Sequence, residues 1–184
     1  MLASFDVTGL RIETERLILR PWQEADLDDL YAYASVKGVG EMAGWSYHRN
    51  KEESQAILNS FMEHKKTFAL ELKASGQVIG SIGIESFKEA EFLEKQLQGR
   101  ELGYVLSKEH WGKGLMPEAV KALIRYCFDE LHYDFLLCAH FVWNHQSRRV
   151  IEKSGFHYVK DIKVETRFET IEQTRLYVLY NPNL

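Results

Sequence analysis

Cysteine and proline are scarce: among 184 residues there are two of the first, Cys127 and Cys138, and three of the second. Two thiols, each set in an apolar stretch, exclude a disulfide framework and read as small core hydrophobes kept in a reducing compartment. An excess of basic charge is also missing, since 23 Lys and Arg face 27 Asp and Glu for a net charge of -4. That balance speaks against binding to nucleic acid or to an anionic membrane surface, and it mildly favours a cationic or amine-bearing partner. No apolar run approaches the ~20 residues of a membrane span. The opening MLASFDVTGLRIETERL has neither the basic start nor the unbroken apolar stretch of a secretory signal. The expectation is a soluble, cytoplasmic protein. The seven histidines show no metal-ligand spacing such as H-E-x-x-H, so no metal is expected.

What is present is ordinary globular material, 45% hydrophobic and 27% charged, enough for a substantial core. Leu10, Ile12, Leu17 and Leu19 flank the polar Thr14-Glu15-Arg16 step and predict a short strand pair or one bulged strand, ended by Pro21. Leu27, Leu30, Tyr31 and Ala34 then recur at helical spacing behind an acidic start. A turn, GVGEMAGW, leads to a second helix over residues 51–64 with Ile57, Leu58 and Phe61 as its apolar stripe. FALEL and QVIGSIGIESF, joined at Ser75-Gly76, predict a hairpin. The polar stretch 88–100 predicts a loop with a helical turn in FLEKQL.

GRELGYVLS restarts a strand, and the clearest helix follows, with Val120, Leu123, Ile124, Cys127, Phe128 and Leu131 on one face. FLLCAHFV is apolar enough for a strand buried on both faces. A short helix in QSRRVIEKSG and strands over 157–167 and 174–180 close the chain. With no repeat, low-complexity tract or linker, these elements predict one α+β domain over residues 1–184.

The most informative stretch is LSKEHWGKGLMPE, Leu106 to Glu118, which runs from a strand through a glycine loop into the strongest helix. A helix N-terminus presents unpaired N–H groups and partial positive charge, so this junction can cradle a pyrophosphate. Gly112 and Gly114 allow φ > 0 and close approach of phosphate oxygens, Lys113 adds charge, and Pro117 sits where its missing N–H costs least. Taken alone, two glycines so spaced more often make only a tight turn and a helix entry. Two rival phosphate motifs are excluded: there is no G-x-x-x-x-G-K followed by Ser or Thr, and Pro117 stands where a dinucleotide fingerprint needs its third glycine.

This loop resembles that of the GNAT superfamily, in which Gln or Arg, two residues, Gly, one residue, and Gly or Ala bind acetyl-CoA. Trp111, Gly114 and Met116 hold the three defining positions; the glycine matches and the other two depart. The W-G-K-G form followed by E-A is common in the branch that acetylates the N-termini of ribosomal proteins, the RimJ/RimL-like branch. TERLILRPWQEADLDDL, VIGSIGI and the segment from Asn144 to Phe156 resemble three further blocks of that branch, in its order. The resemblance implies a GNAT-like α+β fold: a mixed, mostly antiparallel twisted sheet of about seven strands flanked by about four helices, with a V-shaped splay between the fourth and fifth strands.

The same resemblance implies the site. Acetyl-CoA is the implied cosubstrate, bound by the loop residues Trp111, Gly112, Lys113, Gly114, Leu115 and Met116, and by backbone groups of Tyr104, Val105 and Leu106. Asn144 and Ser147 match positions beside the pantetheine arm, although either can instead cap the short helix. Lys153 and Arg148 are placed for the outer phosphate, although a charge on a short surface helix is more often merely solvated. Glu101 matches the general base of many members, and a solvated strand-edge charge is the alternative. The family's general-acid tyrosine is replaced by Ile151, which leaves Ser147 or water to serve the departing thiol. Trp45 and Tyr47, with the loop around Phe87 to Arg100, occupy acceptor-lining places in similar proteins, or pack a turn onto the core.

The function expected is acetyl-CoA-dependent transfer of an acetyl group to a primary amine by direct attack in a ternary complex, the acceptor being a protein N-terminus, as of a ribosomal protein, or a small amine. The alternatives are a non-catalytic acyl-CoA-binding regulatory module and a plain interaction domain whose glycines are structural. The protein is expected as a monomer or homodimer, the latter through an exposed final strand.

Overall fold

The computed structural model describes residues 5–89, 92 and 97–183. An eight-stranded sheet runs through it in the order β1-β2-β3-β4-β5-β6-β8-β7. The strands are β1 Ile12–Glu13, β2 Leu17–Arg20, β3 Thr67–Leu72, β4 Val78–Glu85, β5 Gly99–Leu106, β6 Phe135–Phe141, β7 His157–Glu165 and β8 Ile171–Tyr180. Every neighbouring pair is antiparallel except β5 and β6. A parallel pair needs a crossover connection, and the helix α3, Leu115–Asp129, provides it. The other helices are α1 Leu27–Ala34, α2 Lys51–His64 and α4 His145–Lys153.

The opening segment is a true strand pair, because the turn at Thr14 returns the chain so that Ile12 faces Leu19. Counting its two strands separately gives eight strands where about seven are expected; counting them as one restores the splay to the fourth and fifth. The last strand starts three residues earlier than its apolar pattern, at Ile171, because pairing with β7 carries it outward to an exposed hairpin tip. The helical turn expected in FLEKQL falls mainly on 93–96, outside the described residues.

Alternation along the strands sorts side chains onto two faces. In β3, Phe68 and Leu70 join Leu17, Leu19, Ile82 and Leu102 beneath the apolar stripe of α3, where Leu123 is fully buried. Ala69 turns the other way, into a cluster with Trp22, Leu30 and Leu58 under α1 and α2. In β6, Leu136 and Cys138 belong to the α3 side, while Phe135 and Leu137 form a third cluster with Phe92, Leu176 and Val178. Helix α2 is capped by Asn50, whose side chain accepts the Glu53 N–H at 2.9 Å.

Phe135 is 0% exposed and meets the rings of both Phe87 and Phe92. Phe135→Ala is expected to destabilise the fold by about 3–5 kcal/mol, the usual cost of a buried phenylalanine left as a cavity, read by denaturant unfolding.

Candidate active site

β5 pairs with β6 over four residues, from Gly99 with Phe135 to Leu102 with Cys138. Beyond that point β5 stays on β4 as far as Leu106, β6 stays on β8 as far as Phe141, and the two separate. The V between them is a cleft of about 400 Å³. One wall is β5 from Glu101 to Leu106, the other is β6 from Cys138 to Phe141, and α4 and the glycine loop close the top.

Gly112 and Gly114 take φ of 75° and 76°, left-handed values that a side chain rarely adopts. Gly114 caps α3, so the first N–H groups of that helix are open at the cleft. A Cβ at Gly112 would meet nothing within 4 Å, an open approach that fits a phosphate oxygen rather than a packed turn. Leu115 and Met116 line the cleft while anchored in the main core. The Trp111 Nε1–H donates to the Leu106 carbonyl at 2.8 Å and braces the loop against β5. Lys113 is exposed and outside the cleft lining; its carbonyl accepts an N–H of Arg16 at 2.9 Å.

Arg16 does more than hold that carbonyl. Its backbone and side-chain N–H groups donate to Glu118 at 2.8 and 2.7 Å, and the Thr14 hydroxyl donates to the same carboxylate at 2.6 Å. Although burial pushes the other way, these hydrogen bonds hold Glu118 below its usual range. The turn after β1 is thereby stapled to the first turn of α3, and the loop between is fixed at both ends.

Glu101 faces the cleft from β5, opposite Glu85 of β4. Burial above all, then the charges of Glu89 and Glu85, push its pKa up to about 7. Asn144, 3% exposed, spends its amide twice: Oδ1 accepts the Ser147 N–H at 3.0 Å and caps α4, and Nδ2 donates to the Met42 carbonyl at 3.0 Å. Ser147 lines the cleft with its Oγ 2.8 Å from the Tyr104 phenol. Along α4, Arg149, Val150 and Lys153 face the cleft, whereas Arg148 pairs with Glu152 at 2.7 Å elsewhere. Ile151 is 1% exposed, in the core.

Trp45 and Tyr47 are not among the cleft residues: Trp45 packs on His48 and the α1–α2 cluster, and Tyr47 lies under Lys37. The same turn instead offers Val39, Met42 and Ala43, facing Phe141, Val164 and Thr174 across the cleft. The Arg167 N–H donates to the Gly44 carbonyl at 3.1 Å, tying the β7–β8 hairpin tip to this turn. Sequence reasoning also passed over His110, whose buried Nδ1 has no hydrogen-bond partner among the described residues and which lines the cleft beside the loop. Among those residues no group of three or more His, Cys, Asp or Glu could hold a metal ion. Burial pushes both cysteine thiols up, Cys138 to about 12, so neither is a ready nucleophile.

Asn144→Ala is expected to cost about 1–2 kcal/mol through the lost cap. Asn144→Asp keeps the cap oxygen but buries a carboxylate 3.0 Å from the Met42 carbonyl, so it should be destabilised at least as much near neutral pH and recover as the pH falls. Thermal unfolding against pH checks both.

The profile of the acetyltransferase (GNAT) domain family matches residues 16–157. YoaA of Bacillus subtilis, named an uncharacterized N-acetyltransferase, is 26% identical over 150 residues, covering 79% of this chain and 81% of that protein. The structure of a GNAT-family acetyltransferase from Bacillus anthracis superposes with a TM-score of 0.81 at 21% identity, over 94% of this chain and 99% of the other. The ribosomal-protein-S5-alanine acetyltransferase of Vibrio fischeri does so with a TM-score of 0.71 at 20% identity, over 95% and 98%. Strand order, splayed cleft, glycine loop and family profile agree, and the chain belongs to the GNAT acetyltransferase family.

Proposed function

We propose that this protein transfers an acetyl group from acetyl-CoA to a primary amine by direct attack in a ternary complex. The observation that carries the reading is that a carboxyl group with a pKa near 7, Glu101, faces the same cleft as an open anion cradle at the start of α3. Acetyl-CoA supplies an activated acetyl group on a thioester. The residues suited to hold it are Gly112 and Gly114 with the first N–H groups of α3, the free backbone edge of β5 past Leu102, and the cations Arg149 and Lys153 for its phosphates.

An amine is mostly protonated near pH 7, so attack requires a base. A carboxylate that titrates near neutrality accepts that proton without being too weak a base to matter. Ser147, which lines the same cleft, donates a hydrogen bond to the departing sulfur. The acceptor enters beside the 39–44 turn and the β7–β8 hairpin, where Met42, Ala43, Phe141 and Val164 give an apolar lining to the same cleft as Glu101. A protein N-terminus with a small apolar first residue suits such a lining, and the activity named for the Vibrio fischeri neighbour supports that class. A thiol-release screen across N-terminal peptides and small amines tests it.

Glu101→Gln is expected to lower kcat by about 10²–10⁴-fold with little change in acetyl-CoA affinity. The wild-type rate should climb with pH as the carboxylate forms around 7, and the variant should lack that limb. Stability gives an independent sign. A raised carboxyl pKa means that the folded chain keeps a proton the unfolded chain releases, so wild-type stability falls as pH rises from 4.5 to about 7 relative to the variant. Gly114→Val, forced to φ of 76° at the cradle, should lose the stabilisation that acetyl-CoA gives the wild type in thermal unfolding.

A further inference from the structure

Tyr104 leaves β5 on the face turned toward α4. Its phenolic oxygen lies 2.8 Å from the Ser147 Oγ and 3.3 Å from the Ser147 carbonyl oxygen. Both residues line the cleft. Two O–H protons serve these three oxygens, with the Cys138 sulfur a further but weak acceptor for the phenol, and the shorter oxygen contact is the stronger hydrogen bond. A phenol is the better donor of the two hydroxyls, so its proton belongs on the 2.8 Å contact. Burial above all raises the Tyr104 pKa well beyond its ordinary value, and the phenol keeps that proton at any working pH. In the opposite arrangement the phenol would donate to the longer carbonyl contact and the serine proton would be spent on Tyr104.

We infer that Tyr104 is a positioning residue for the departing thiol: by donating to the Ser147 oxygen it turns the serine O–H into the cleft, toward the sulfur. In the transfer, nitrogen bonds to the acetyl carbon, the carbon–sulfur bond breaks, and the electron pair stays on sulfur. The amine's proton goes to Glu101, and the thiolate, held by the serine hydrogen bond, takes its proton from water. The contribution is stabilisation of charge where it develops. The other titratable groups on the cleft wall are Glu101, Cys138, His110 and His140, with Arg149 and Lys153 on α4. Cys138 is neutral, and burial pushes both histidines below their ordinary range. Glu101, Arg149 and Lys153 act alike in the variants compared.

The inference rests on the acetyl-transfer reading, and one set of measurements separates the two. The pKa of the thiol of bound CoA is read from thiolate absorbance against pH, for the wild type, Tyr104→Phe and Ser147→Ala, with thermal unfolding as the check on folding. A directed donor lowers that pKa in the wild type relative to free CoA, and both variants should return it toward the free value. Tyr104→Phe should also lose roughly 10–10²-fold in kcat, less than the 10²–10⁴-fold of a group that itself moves the proton, with acetyl-CoA affinity little changed. The loss should shrink for acetyl thioesters of more acidic thiols. A Tyr104→Phe protein with the wild-type thiol pKa and kcat overturns the role of Tyr104 while acetyl transfer stands. If Tyr104→Phe does not fold, a Ser147→Ala protein that keeps the lowered wild-type thiol pKa overturns it equally. A wild type that neither binds CoA nor releases thiol overturns both.

Discussion

Two strands that begin as a parallel pair are each held more firmly by another neighbour, and the site follows from that. β5 is committed to β4 as far as Leu106 and β6 to β8 as far as Phe141, so their own ladder ends at Leu102 and Cys138. Sheet twist carries two strands so anchored apart. Backbone groups past that point lose a strand partner inside the molecule, and such groups need something to bind. The crossover demanded by the parallel pair is α3, whose N-terminus is delivered to the mouth of the same opening. An elongated ligand that has amides along its arm and phosphates at one end matches this pairing of free strand edge and helix terminus.

The remaining walls come from far along the chain and are held by a few polar contacts. Thr14 and Arg16 fix Glu118, and with it the loop's exit into α3. Asn144 joins the cap of α4 to the Met42 carbonyl, linking that helix to the 39–44 turn. Arg167 and Gly44 join that turn to the last hairpin. The first and last of these contacts lie outside the cleft lining, whereas Asn144 and Met42 are part of it, together with Glu101, Tyr104 and Ser147.

What could be read from the sequence was what is local. The stripe on α3, the span of α2 and the glycine loop depend on residues within a turn or two of each other, and the structure has them where periodicity and turn chemistry put them. The opening TER step and the Glu118-Ala119 pair were visible only as two separate blocks, because the contact between them joins positions about a hundred residues apart. Arg149 rather than Arg148 faces the cleft because one residue on a helix is a rotation of about 100°, and helical phase in so short and polar an element has little apolar pattern to reveal it. Trp45 and Tyr47 show the same limit in a turn, where tertiary packing alone chooses between core and cleft. The Tyr104 to Ser147 contact needs both the strand's face and the helix's first turn in place before it exists at all.

The central claim is direct transfer within one cleft, with neither cysteine carrying the acetyl group. Intact-mass analysis after incubation with acetyl-CoA, first alone and then with N-terminal peptides, tests it most directly. The account predicts an enzyme of unchanged mass in both cases and a peptide carrying one acetyl group on its α-amine, formed in step with free thiol. An acetylated enzyme that hands its group to a peptide added after acetyl-CoA is removed would contradict it.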